Sequence, residues 1–246
     1  MSKRPKPLEV SFASAADRWD ALNQQIIACT ACDRLIAHCQ SIAATKRAAY
    51  RDWEYWGRPV PNFGDPNAEA LIVGLAPGAH GANRTGRVFT GDDSGNWLFR
   101  ALHRAGFANQ PHAVSRDDGL ILINCAITGA GHCAPPDNKP TPEELANCRP
   151  WLAATIDAMP RVRVFVALGN IAWREILREI DRRGWREGRL PTFGHGAVVE
   201  LANGSRLVGC YHPSRQNTNT GRLTEHMLDD VFRAVRASLK KLAPGQ

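Results

Sequence analysis

The stretch from Gly74 to Asp92 is the part of this chain richest in residues that can do chemistry. Five glycines, Gly74, Gly78, Gly81, Gly86 and Gly91, are interleaved there with His80, Asn83, Arg84, Arg87 and Phe89. Glycines let backbone amides approach a ligand closely, and the side chains between them offer hydrogen-bonding, cationic and aromatic groups. A loop that needed only flexibility would not carry them. The stretch directly follows Ala70-Leu71-Ile72-Val73, an apolar run that reads as a strand. It is therefore expected at the carboxyl edge of a sheet, where α/β proteins keep their sites.

Two further polar loops follow. In Cys133-Ala134-Pro135-Pro136-Asp137-Asn138-Lys139-Pro140 the prolines restrict the backbone ahead of Asn138. A carboxamide offers one donor and one acceptor direction, which match the N3–H and O4 edge of uracil. The alternative for Asn138 is an Asx turn. In the third loop, Tyr211 to Thr224, His212 stands at a strand exit and can donate to a developing anion. Ser214, Arg215, Gln216 and Asn217 behind it can enter a DNA groove and hold phosphates.

Cys29 and Cys32 form a C-x2-C pair, and Cys133 and Cys148 lie far downstream. They can share one centre only if the fold brings the N-terminal region against the later pair. Four thiolates fit tetrahedral zinc or an iron–sulfur cube equally well by spacing. Cys39 competes for a ligand position, whereas Cys125 and Cys210 sit in apolar runs and read as buried hydrophobes.

Helical periodicity places helices at 14–28, 94–106, 141–158, 170–183 and 224–241. Thr141, Pro142 and Glu144 supply a cap, a first-position proline and a capping box. Strand-like runs occur at 69–75, 119–127, 162–168 and 206–211, and 197–201 is expected to pair with 206–210 through Asn203-Gly204. The alternation predicts a short, mainly parallel sheet with helices on both faces. The segment from Tyr50 to Pro66, with Trp53, Tyr55 and Trp56, reads as a packed connecting loop.

The chain has 246 residues, 43% of them apolar, and a formal net charge of +7. One domain over 14–242 is expected, behind a disordered basic tail at 1–13, and the chain is expected to be a monomer. The positive charge favours an acidic partner, nucleic acid before membrane. The basic, proline-broken N-terminus lacks the apolar core of a secretory signal or membrane helix. Together with seven cysteines, an odd number, this points to a reducing, cytoplasmic and nucleoid-associated setting.

Taken together in this order and spacing, the Gly74–Asp92 loop, the 133–140 block with Cys148-Arg149-Pro150, and His212-Pro213-Ser214 resemble the uracil-DNA glycosylase superfamily. Within it they are most similar to the iron–sulfur-containing family 5, the type b enzymes. The likeness spans about Cys29 to Thr224. It implies a central four-stranded, mainly parallel sheet flanked by helices. It also implies a structural [4Fe-4S] cluster on Cys29, Cys32, Cys133 and Cys148 that joins the N-terminal helix to the core.

The activity implied is monofunctional hydrolysis of the N-glycosidic bond of uracil in DNA, leaving an abasic site after the nucleotide is flipped out. By similarity, Phe89 stacks on the base, Asn138 reads its edge and His212 donates toward O2, with the backbone at Ala76 and Gly78 closing the pocket. Arg84, Arg87, Ser214, Arg215, Gln216 and Asn217 are expected to contact DNA, with Gln216 or Asn217 filling the gap in the duplex. Ala76 stands where the best-known members of the superfamily carry an acid or amide. The task of positioning water is therefore expected to pass to Asn83, with His80 in reserve. The added room predicts tolerance of hypoxanthine or xanthine. The competing function is a cluster-containing protein that recognises deaminated bases or abasic sites without cutting them.

Overall fold

The computed structural model describes residues 14–189 and 191–242, so the expected tail at 1–13 lies outside the described residues. Its helices are α1 (Ala15–Ile27), α2 (Asp33–Thr45), α3 (Ala82–Thr85), α4 (Asp93–Arg104), α5 (Pro142–Asp157), α6 (Asn170–Arg182), α7 (Arg215–Asn219) and α8 (Glu225–Leu242). Its strands are β1 (Phe63–Gly64), β2 (Ala70–Gly74), β3 (Cys125–Gly129), β4 (Val164–Leu168), β5 (Val198–Glu200) and β6 (Arg206–Cys210).

The strands form one six-stranded sheet in the order β1-β3-β2-β4-β6-β5. The expectation of four strands is corrected: β3, β2, β4 and β6 are parallel, but β1 and β5 add antiparallel edges, and the sheet is mixed. β5 joins β6 as the Asn203-Gly204 turn predicts. β1 is only two residues long, too short to leave a periodic signal.

Alternation along each central strand sends side chains to two cores. Ala70, Ile72, Ile127, Val166 and Val208 meet Leu98, Phe99 and Leu102 of α4 and Val231, Phe232 and Val235 of α8. Leu71, Val73, Ala126, Phe165 and Leu207 meet α1, α5 and α6 on the other face, through Trp19, Leu22, Ile26, Trp151, Leu152, Trp173 and Ile176. Both faces of the sheet are thereby covered, which is why its strands read as continuous apolar runs. α1 is fastened to α5 by this packing.

Ser14 caps α1, Asp92 caps α4, and Thr141 and Glu144 close the predicted capping box on α5. The run expected as a strand over 119–127 is different. The ladder begins only at Cys125, and residues ahead of it form a loose hairpin with a single bridge between Ala108 and Leu122. Leu120 and Leu122 are buried there while Ile121 and Ile123 are exposed. No helix among the described residues is long and apolar enough to cross a membrane.

Candidate active site

The three polar loops leave the carboxyl ends of β2, β3 and β6 and surround one cleft. Its lining includes Ala76, Gly78, His80, Phe89, Asp92, Asn138, His212 and Gln216. The parallel register of the central strands brings together residues more than a hundred positions apart.

Phe89 lies across the end of β2. A Cβ on Gly74 would stand 2.7 Å from its ring, so glycine is needed there for the ring to seat. Phe89 itself has φ 51, an unusual backbone for an aromatic residue and one that a rigid surrounding must hold. The ring faces His212 with centroids 5.8 Å apart and planes inclined by 33°. Burial pushes the His212 imidazole down to about 4, so it is neutral at pH 7. Asn217 Nδ2 donates to the His212 carbonyl at 2.8 Å and fixes the backbone beneath that ring.

Asn138 projects from a short 3₁₀ turn, Pro136–Asn138. Asp137 and Asn138 both have positive φ, 53° and 55°, a conformation their short polar side chains tolerate best among non-glycine residues. Asn138 is exposed at the cleft and its side-chain amide makes no hydrogen bond among the described residues. No Asx turn consumes it.

Four expectations are corrected by burial and internal bonding. Asn83 is 0% exposed and does not line the cleft; its Nδ2 donates to the carbonyls of Cys39 and Ala79. Its Oδ1 is buried without a partner, away from the cleft lining. Arg84 is 3% exposed, with Nε on the His80 carbonyl and its guanidinium over the rings of Tyr50 and Trp53. Arg87 is 5% exposed and pairs with Asp118 at 2.8 Å. Both arginines therefore brace loops; Arg87 is outside the cleft lining, whereas Arg84 lines it with almost no exposed surface. Asn217 is committed to His212 as described.

Ser214, Arg215 and Gln216 do line the cleft, and Arg215 pairs with Asp93 across its mouth. His80 lines it too, its Nδ1 3.1 Å from the Tyr55 hydroxyl. Burial, with the charges of Arg47 and Arg84, lowers its basicity, so it too is biased toward the neutral form.

The residue that sequence reasoning missed is Asp92. Its Oδ1 accepts from Gly95 N at 2.9 Å and caps α4. Its Oδ2 turns back to the glycine loop: a Cβ would stand 2.0 Å from it on Gly81 and 2.9 Å on Gly78. Those two glycines make room for a carboxylate in the cleft. Burial raises its pKa despite the helix N-terminus, the opposite of what capping alone does. The available signal was an acid placed where a glycine-rich loop enters a helix, which reads first as a cap.

Cys29, Cys32, Cys133 and Cys148 line one separate small cavity, beside Leu35, Ile36 and His132. Among the described residues no group of three or more Cys, His, Asp or Glu is gathered as a single-ion site. Cys39 is outside that lining; its Sγ accepts from Ala134 N at 3.3 Å, behind Cys133. Cys125 and Cys210 are buried in the sheet.

The sequence model of the uracil DNA glycosylase superfamily matches residues 61–236. The chain is 52% identical over 223 residues to the type-5 uracil-DNA glycosylase of Mycobacterium tuberculosis, covering 90% of this chain and 81% of that protein. It is 49% identical over 213 residues to the type-5 enzyme of Thermus thermophilus, covering 87% and 94%. To that of Pyrobaculum aerophilum it is 46% identical over 219 residues, covering 89% and 92%.

Proposed function

The chain belongs to the uracil DNA glycosylase superfamily, and from that premise we propose that it is a DNA repair glycosylase excising uracil at the cleft of Phe89, Asn138 and His212. The observation that carries this assignment to the site is the convergence of an aromatic ring, an unengaged carboxamide and a neutral imidazole on that cleft.

In the reaction the nucleotide is flipped out of the stack and the C1′–N1 bond breaks. The electron pair passes to the base, and the sugar becomes cationic. Phe89 supplies a face for the base, and Asn138 pairs with its O4 and N3–H. His212 donates an N–H toward O2; being neutral, it stabilises the departing anion by hydrogen bonding. Ala76 and Gly78 give no side-chain bulk to the pocket. Asp92 orients the water that attacks C1′ and takes its proton, a role its raised pKa suits. This moves water positioning from Asn83 to Asp92.

The cavity lined by four cysteines supports the reading of an iron–sulfur cube there. Its thiols line walls around a space, and Nε2 of His132, whose Nδ1 bonds the Val60 carbonyl at 2.7 Å, is buried there without a partner. Cys29, Cys32, Cys133 and Cys148 would hold such a cluster, which when bound supplies a covalent link between the α1–α2 corner and α5. The reading in which the chain recognises lesions without cutting rests on Ala76 and the +7 charge; a carboxylate at Asp92 in the cleft supports the catalytic reading.

The test is single-turnover excision from duplexes carrying uracil, hypoxanthine or xanthine, by the wild type, Asn138→Ala and His212→Ala. Uracil release by the wild type and selective loss in both variants are expected. Hypoxanthine release is expected as well, since Ala76 and Gly78 add little side-chain bulk to the cleft lining. Duplex binding with no base release would sink the catalytic reading.

A further inference from the structure

The hairpin at 107–124 lies outside the three loops, yet its tip reaches the cleft. Ala113 and Val114 line the cleft rim, and the Ala113 carbonyl accepts from Gly91 N at 2.8 Å, tying the tip to the end of the glycine loop. Val114 is 56% exposed. Among the described residues the large exposed hydrophobics are Val114, Ile121, Ile123 and Val198, three of them on this hairpin and Val114 alone at the cleft.

The tip is held stiffly. Asp118 Oδ2 accepts from Val114 N at 2.7 Å and from Ser115 N at 3.2 Å, and Oδ1 accepts from Leu120 N at 3.1 Å. The same carboxylate pairs with Arg87, whose Nη1 also donates to the Arg116 carbonyl at 3.1 Å. Arg116 itself is exposed, its guanidinium 4.4 Å from the centre of the Trp56 ring, with no acidic partner among the described residues. A rigid loop that holds an apolar side chain out of its own core, beside an unneutralised arginine, suits a surface that is partly apolar and partly anionic. Duplex DNA at an extruded base is that surface: stacked base faces are opened between two phosphate backbones.

We propose that Val114 is the apolar wedge of this glycosylase, entering the duplex beside the extruded uracil while Arg116 meets a backbone phosphate. This rests on the glycosylase reading above. It replaces the expectation that Gln216 or Asn217 fills the gap; the Asn217 amide donates to the His212 carbonyl. Gln216, exposed on α7, is left to contact polar edges. A wedge lowers the cost of unstacking, so its contribution is largest where uracil is paired and vanishes where it is already unstacked.

The experiment compares single-turnover uracil excision from a U·A duplex, a U·G duplex and a single strand of the same sequence. The proteins are wild type, Val114→Ala, Val114→Thr and, as a control elsewhere on the hairpin, Ile121→Ala. Val114→Ala is expected to slow the U·A duplex by about tenfold or more, the U·G duplex by less, and the single strand by less than about twofold. Val114→Thr, which keeps the branched shape but adds a hydroxyl, is expected to fall between, and Ile121→Ala to match the wild type. An unchanged U·A rate in Val114→Ala, or an equal loss on all three substrates, overturns the wedge and leaves the glycosylase reading standing. A wild type that excises uracil from none of them sinks both.

Discussion

Arg87 and Asp118, 31 residues apart, meet at 2.8 Å where both are withdrawn from solvent, and their pairing joins the glycine loop to the hairpin at the cleft rim. The carboxylate also serves three backbone amides, so removing either partner strands a charge or several donors together. Breaking such a pair from one side costs about 3–5 kcal/mol. Arg87→Ala is therefore expected to lower the unfolding free energy by that much, and with it the denaturant midpoint, far more than Arg215→Ala, whose pair is exposed. Equal midpoints would remove Arg87 from the scaffold.

The same pair sets an acid limit. Burial alone would raise the Asp118 pKa, but the amides of Leu120 and Val114 and the Arg87 guanidinium hold it below the usual carboxylate value. A group depressed on folding stabilises fully above its unfolded pKa, about 3.9, and this stabilisation is lost as pH falls through the folded value. Stability is expected to fall below about pH 4, with a shallower slope in Asp118→Asn. Parallel slopes for the two proteins would contradict this.

Asp92→Asn keeps a good helix cap, because asparagine caps as well as aspartate. It loses the proton acceptor. A drop of about 10²–10⁴-fold in single-turnover rate is expected, with thermal stability nearly unchanged. The wild-type rate is expected to fall on acidification at a pH above the ordinary aspartate range, because the raised pKa protonates the base early. Asp92→Asn removes that limb. A rate close to wild type in the variant would return water positioning to another group, His80 first.

His212 is neutral throughout the working range, its imidazole pushed down to about 4 by burial. The rate between pH 6 and 8 is therefore expected to show no step at the ordinary histidine value of about 6.5. His212→Ala is expected to lose about 10²–10³-fold in rate. A step near 6.5 that vanishes in His212→Ala would mean the imidazolium is the working form.

The cysteines separate by position. Cys148→Ser is expected to lose absorbance near 400 nm and to melt earlier, because Cys148 lines the four-thiol cavity. Cys39→Ala is expected to keep the absorbance, because its sulfur is outside that lining and is engaged with the Ala134 backbone and Cys133. Loss of the chromophore in both variants would make Cys39 a ligand.

Much of this molecule is local and therefore legible in sequence. The caps at Ser14 and Thr141, the apolar runs of β2, β4 and β6, and the order of the three loops follow from neighbouring residues, whose propensities and periodicity act within a few positions. So does the presence of a glycine-rich loop, an amide behind prolines and a histidine at a strand exit. Their types alone set what chemistry was available.

Which side chain faces the cleft was decided only by tertiary packing. Asn83, Arg84, Arg87 and Asp92 share one loop and are all polar, yet Asn83 and Arg87 turn away from the cleft while Arg84, though almost wholly buried, and Asp92 line it. Asn83 and Arg84 find partners on α2 and in the Tyr50–Trp53 segment, and Arg87 on the 113–118 turn, all remote in sequence. Asp92 reaches the cleft because Gly78 and Gly81 leave it space. Most buried polar groups are paired, and their pairing depends on what the fold brings against them, which no window of neighbouring residues contains.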